Sequence, residues 1–168
     1  MTPESVAEIL SSPLAQELFA SNIPAHIAYT GLDGAPRSVP ISYIYADGVF
    51  EVFSPDPAPK IAALQLDPRI ALSIDTTGIW PARTFLVRGT AHVDLGDTFP
   101  EVYTEANQRV IGPDAAAGFK AMLEPLPLTW ASISITPTWA KLLDFETVFP
   151  SSLVTALANA QAAHAAAN

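Results

Sequence analysis

Residues 37–75 of the chain read RSVPISYIYADGVFEVFSPDPAPKIAALQLDPRIALSID. Apolar side chains recur at every second position from Val39 to Tyr45, which is the period of a β-strand with one buried face. Asp47-Gly48 predicts a tight turn after that strand, and Val49–Phe53 predicts the returning strand. The first half of this stretch therefore predicts a β-hairpin.

The second half predicts a loop, a short helix and another strand. Three prolines stiffen the loop Ser54–Lys60, which has a hydroxyl at one end and an ammonium group at the other. A stiff loop with these two groups is suited to holding a phosphate. The helix Lys60–Leu66 is expected to end at Asp67-Pro68, because the residue before a proline avoids the helical region. Ile70–Asp75 is expected to form the next strand.

Composition limits the classes of function that the chain can have. Its 168 residues are enough for one domain with a sizeable core. The balance of 8 Lys and Arg against 17 Asp and Glu gives a net charge of -9, which argues against nucleic acid as a partner. The chain has no cysteine, so disulfides, cysteine-ligated zinc and thiol catalysis are excluded. We expect no membrane span and no leader, and the cytoplasm is the default location.

Further strand and helix patterns lie on both sides of this stretch. Strands are expected at Ala25–Thr30, Thr84–Val93, Ala131–Thr136 and Trp139–Phe145, and helices within residues 2–20, from Asp97 to Ile111, from Asp114 to Leu123 and at about residues 151–166. Arg109 is expected on the solvated face of its helix. Six or seven antiparallel strands with peripheral helices predict a mainly β protein, a barrel over about residues 21–145 within a single domain of residues 1–168.

Three sets of residues resemble the flavin-binding split-barrel superfamily, the relatives of pyridoxamine 5'-phosphate oxidase. Arg37, Ser54 and Lys60 stand where the oxidase has residues that hold the phosphate of flavin mononucleotide (FMN). Residues 66–72, LDPRIAL, are similar to the helix-to-strand junction of the superfamily, and residues 80–92, WPARTFLVRGTAH, are similar to its long strand. The resemblance covers about residues 21–145 and implies a homodimer with FMN between the subunits.

The chain also departs from the oxidase pattern. Ser42 stands in place of a strand lysine, Pro59 in place of a loop arginine, and Thr84 in place of a glutamine that reaches the flavin of the partner subunit. The motif that grips pyridoxal phosphate near the oxidase C-terminus is absent. The resemblance therefore implies a divergent member with another substrate.

The function predicted from these residues is that of a flavin-dependent oxidoreductase acting on a small molecule. Beside the three phosphate-binding residues, Pro40, Ile41, Ser42 and Tyr43 are expected to line the flavin ring, and Arg83, Thr84 and Arg88 to contact the ring or orient substrate. No catalytic side chain is predicted, because the redox chemistry belongs to the cofactor, and no metal site is predicted, because three scattered histidines do not form one. Two alternatives remain open, a reductase that uses the deazaflavin coenzyme and a non-catalytic protein that binds a flavin or another planar ligand.

Overall fold

The computed structural model describes residues 1–76 and 78–166. Its strands are β1 Ala25–Thr30, β2 Pro36–Ile41, β3 Tyr43–Ala46, β4 Val49–Pro55, β5 Arg69–Asp75, β6 Thr84–Gly96 and β7 Trp130–Leu143. Its helices are α1 Pro3–Leu10, α2 Pro13–Ala20, α3 Pro59–Leu66, α4 Glu101–Ile111, α5 Pro113–Leu123 and α6 Ser151–Ala166. No helix of the described chain has both the length and the apolar character needed to cross a membrane.

The seven strands form one antiparallel sheet with the order β2-β1-β5-β6-β7-β4-β3. β2 and β3 lie at opposite edges of this sheet, yet only Ser42 separates them in the chain. The two edges must therefore meet at Ser42, which curls the sheet into a barrel. The prediction of one continuous strand from Val39 to Tyr45 is wrong, because β2 pairs with β1 whereas β3 pairs with β4. The alternation of apolar residues that suggested a single strand continues across Ser42.

The interior of the barrel is filled by apolar side chains from the strands and from the N-terminal helices. Among the most deeply buried are Ile27, Phe50, Val52, Leu72, Ile74, Phe85, Val87, Ile133 and Ile135. Phe19 of α2 is also buried, and its ring centroid lies 5.1 Å from that of Phe50 and 4.8 Å from that of Phe85, both edge-on. The aromatic contacts of Phe19 therefore hold α2 against the barrel core.

The longest strand pair contains a bulge that the sequence did not predict. Pro137 suggests a break between two strands, but β7 runs through it without interruption. The pairing shifts between Arg88 and Gly89 of β6, which leaves Thr138 of β7 without a partner. Proline is tolerated at a bulge because no ladder hydrogen bond is needed there. A Cβ atom on Gly89 would lie 2.5 Å from the carbonyl oxygen of Thr136, so the close approach requires glycine.

The structure corrects two predictions about α4. The helix begins at Glu101, and Asp97 instead accepts a hydrogen bond of 3.0 Å from the Thr129 hydroxyl. Arg109 is half-buried rather than solvated, because its guanidinium extends toward α2 and β3 and donates to the main-chain carbonyls of Phe19 and Tyr43. The same group lies 4.8 Å above the Tyr43 ring. α4 is thus tied to α2 and β3 by a single side chain.

Candidate functional site

The end of β4 and the start of α3 bring a hydroxyl and a cation together. The side chain of Ser54 is buried at the end of β4, and Lys60 is the second residue of α3. Lys60 Nζ donates to Ser54 Oγ over 3.0 Å. Burial lowers the pKa of the half-buried Lys60. Within residues 1–76 and 78–166, no carboxylate forms a salt bridge with Lys60.

This arrangement is suited to binding an anion. A protonated lysine has three donors, of which Ser54 takes one. The amino end of α3 adds the positive end of a helix dipole beside the ammonium group. A phosphate bound there would receive charge-assisted hydrogen bonds and would supply the counter-charge that the described protein lacks.

Arg37 lies near the start of α3, but its guanidinium is already paired with Asp33. Arg37 is exposed near the start of β2, and its Nη2 donates to Asp33 Oδ2 over 2.7 Å. Arg37 and Pro59, the first residue of α3, line the same cavity of about 260 Å³. No hydrogen bond joins Arg37 to Ser54 or Lys60 in the described chain. Arg37 would contact an anion at the start of α3 only if its guanidinium turned toward that anion from its present contact with Asp33.

The residues from Pro40 to Tyr43 occupy the junction of the two sheet edges. Pro40 is exposed, Ile41 and Ser42 are half-buried, and the Tyr43 side chain is fully buried. The Tyr43 hydroxyl donates to the carbonyl of Leu18 over 3.3 Å. Burial raises the pKa of Tyr43 to about 12, an effect that the charge of Arg109 partly offsets. A ligand outside the barrel can reach the side chains of Pro40, Ile41 and Ser42, but not the Tyr43 ring.

Arg88 lies on the outer face of the sheet. Its guanidinium carbon lies 4.6 Å from the centroid of the Trp139 ring, a cation–π contact. Arg88 and Trp139 line a cavity of about 230 Å³ together with His26 and Ser38. The sequence did not single out Trp139, whose place opposite Arg88 depends on the register of β6 and β7.

Thr84 begins β6 and Arg83 directly precedes it. Neither residue lines the cavity beside Arg37 and Pro59 or the cavity beside Arg88 and Trp139. Arg83 Nη1 donates to Glu17 Oε1 of α2 over 2.8 Å, and Thr84 pairs with Asp75 and Leu143 in the sheet. Glu17 is 66 positions away from Arg83 in the chain, so no local pattern could have indicated this pair. One subunit alone does not gather the ten predicted ligand-binding residues around a single cavity of the described chain.

Comparison with known proteins identifies the fold. No protein-family model matches the chain, and no curated protein matches it. Several solved structures are similar to the chain. An F420 reductase is 21% identical, with 75% of this chain and 94% of that chain covered and a TM-score of 0.59. A FAD-binding protein from Mesorhizobium loti is 22% identical, with 78% and 93% covered and a TM-score of 0.51.

A third similar structure, assigned as a pyridoxamine 5'-phosphate oxidase of Listeria innocua, is 15% identical, with 83% of this chain and 98% of that chain covered and a TM-score of 0.53. These similarities confirm the predicted split-barrel fold, a seven-stranded antiparallel sheet with peripheral helices. At such identities they establish the fold alone.

Proposed function

We propose that this split-barrel protein is an oxidoreductase that binds FMN between two subunits and acts on a small molecule. The observation that supports the proposal most directly is the half-buried Lys60, hydrogen-bonded to the buried Ser54 and without a carboxylate partner in the described chain. Burying a charge without a partner is unfavourable, and such groups concentrate at functional sites. The phosphate of FMN would supply the missing partner.

The remaining residues have defined roles in this proposal. Lys60 and Ser54 hold the phosphate, and Arg37 adds a second cation from the neighbouring cavity. Pro40, Ile41 and Ser42 lie against the ring system at the barrel junction. A second subunit brings Arg83, Thr84 and Arg88 to complete the site. Bound FMN would supply the hydride chemistry, so the side chains need only bind and orient.

The deazaflavin coenzyme is a second candidate, and one observation favours it. The structural likeness to an F420 reductase has a TM-score of 0.59, above the 0.53 of the protein assigned as a pyridoxamine 5'-phosphate oxidase. A deazaflavin coenzyme also carries a phosphate that Lys60 could bind. The visible absorption spectrum of the loaded protein separates the two, since FMN and the deazaflavin absorb at different wavelengths.

Titration calorimetry with FMN and with riboflavin tests the phosphate site. Lys60→Ala should weaken FMN binding roughly ten- to a hundredfold, because one charge-assisted contact is lost, and should leave riboflavin binding unchanged. Lys120→Ala is the matched control, since it removes the same charge from a lysine that pairs with Glu101 elsewhere. An FMN dissociation constant that is the same for Lys60→Ala and wild type would remove the main support for the proposal.

A further inference from the structure

A cleft that shares Arg83 with the proposed flavin site lies between α2 and residues 79–83. Its volume is about 490 Å³, within the range of small-molecule sites. Its apolar lining includes Leu18, Ile23, Ile79 and Trp80, and Arg83 and Glu17 also line it. The cleft therefore combines apolar side chains with one ion pair and with the polar residues Ser21, Asn22 and Thr76.

Two large apolar side chains are left open to solvent in this cleft. Ile79 is 62% exposed and Trp80 is 76% exposed. The ring centroid of Trp80 lies 6.1 Å from that of Phe145, so one aromatic neighbour positions the ring while most of its surface stays uncovered. Exposed apolar surface in a concave place is typical of a binding site. The exposed surfaces of Ile79 and Trp80 are suited to packing against a flat apolar molecule.

Two hydrogen bonds with Thr76 set the position of the Arg83 main chain. The Arg83 amide donates to Thr76 Oγ1 over 2.9 Å, and the Thr76 amide donates to the Arg83 carbonyl, also over 2.9 Å. These bonds leave the guanidinium free to pair, and it does so with the carboxylate of Glu17 over 2.8 Å. The site therefore already accommodates a carboxylate beside Arg83.

The Glu17 carboxylate is easily replaced. The Glu17 side chain is 67% exposed and that of Arg83 is 39% exposed, and exposed ion pairs contribute little to stability. A carboxylate bound within the cleft would compete with Glu17 for Arg83. A second negative charge would find no partner, because Arg83 is the only cation that lines the cleft in the described chain.

We propose that this cleft binds a planar, largely apolar molecule with a single carboxylate. The carboxylate pairs with Arg83 in place of Glu17, and the ring system packs against Trp80 and Ile79. The binding itself needs neither FMN nor a second subunit. The further step, that such an acid is the substrate, rests on the proposed function.

The test is calorimetric titration of the FMN-free protein with 2-naphthoate and with its neutral analogue 2-naphthamide. Arg83→Gln should weaken naphthoate binding roughly ten- to a hundredfold, because a charge-assisted contact is lost, and should leave naphthamide binding unchanged. Glu17→Gln should strengthen naphthoate binding, by up to about fivefold, because the competing carboxylate is gone. Arg69→Gln, which removes an exposed arginine paired with Asp67, is the matched control and should leave the affinity for naphthoate unchanged.

Either of two results would overturn the proposal. One is equal naphthoate affinity in wild type and Arg83→Gln, and the other is an equal loss in Arg83→Gln and Arg69→Gln, which would indicate binding at any exposed guanidinium. If Arg83→Gln does not fold, Glu17→Gln decides alone, since unchanged or weaker binding there contradicts the displacement. Because these titrations contain no FMN, their failure leaves the Lys60 result standing, and failure of FMN binding leaves the cleft standing.

Discussion

Burial and a bound anion would have opposite effects on the pKa of Lys60. Burial lowers its pKa below the ordinary 10.5. Between that lowered value and 10.5 the folded protein binds fewer protons than the unfolded chain, so this group alone makes the ligand-free protein more stable as the pH rises through the window. A bound phosphate favours the charged form and shifts the pKa upward again. Ligand binding and proton binding at Lys60 are therefore linked.

We expect the affinity for FMN to fall as the pH rises through the lowered pKa of Lys60. The free protein loses the ammonium charge there, whereas the complex retains it to higher pH. Measuring the FMN dissociation constant from neutral pH to pH 10.5 tests this. Lys60→Arg, whose side chain stays charged, should lack the dependence. If Lys60→Arg and wild type lose affinity in parallel, the titrating group is another one.

Gly89 is a residue whose role is steric. Gly89→Ala should lower the free energy of unfolding by about 1–3 kcal/mol, because the new methyl group must push the Thr136 carbonyl aside. Gly96→Ala at the end of the same strand is the control, since nothing lies within 4 Å of the added atom. Urea denaturation measures both variants. Equal midpoints for the two would show that the bulge moves without cost.

At the scale of the element, α4 is held through Arg109. Its guanidinium crosses from α4 to the carbonyls of Phe19 on α2 and Tyr43 on β3, although its Nε is buried without a partner in the described chain. A buried cation that donates to main-chain carbonyls links the elements more strongly than an exposed ion pair does. Because Tyr43 directly follows Ser42, this contact also fixes the junction of the sheet edges.

Removing the guanidinium should therefore destabilise the whole barrel. We expect Arg109→Met, which keeps an apolar stem, to lower the free energy of unfolding by about 2–4 kcal/mol, since two carbonyls lose a charged donor. Arg69→Met, at an exposed pair with Asp67, should unfold like wild type. The two variants are compared by urea denaturation followed by circular dichroism. A wild-type midpoint for Arg109→Met would mean that water replaces the guanidinium without loss.

At the scale of the whole molecule, the proposed site needs a second copy of the chain. The predicted ligand-binding residues do not all line one cavity of a single subunit, although Arg37 and Arg88 share a cavity of about 580 Å³. Apolar side chains also remain exposed along α6, among them Leu153, Val154 and Leu157. All described side chains of this helix, from residue 151 to residue 165, are exposed, so the helix lacks the tertiary packing that supplies most helix stability in proteins.

We expect the protein to be a dimer at micromolar concentration in the presence of FMN. A stable interface of this kind should bury more than about 1,000 Å². Multi-angle light scattering measures the mass directly, with the 17.8 kDa chain as the reference for a monomer. A monomeric mass with FMN bound would contradict the contribution of Arg83, Thr84 and Arg88 from a second subunit.

Local patterns in the amino-acid order were enough to predict most elements. The alternation in β1, β4 and β5, the turn at Asp47-Gly48 and the prolines before α3 all act on neighbouring residues, so they can be read without the fold. The hydroxyl and the lysine of the Ser54–Lys60 loop were likewise visible, because six residues separate them. The split-barrel fold followed from the order of these elements and from the resemblance that their motifs carry.

Other features depend on pairings between distant parts of the chain. The break at Ser42 exists because β2 and β3 pair with different strands, and β7 continues through Pro137 because the bulge beside Gly89 accommodates it. The ion pair of Arg83 with Glu17 joins residues far apart in the chain. The helical spacing of α4 could not show that the Arg109 side chain turns inward, because only the packing of α4 against α2 and β3 supplies its carbonyl partners. Periodicity records which residues share a face, whereas tertiary packing determines what that face meets.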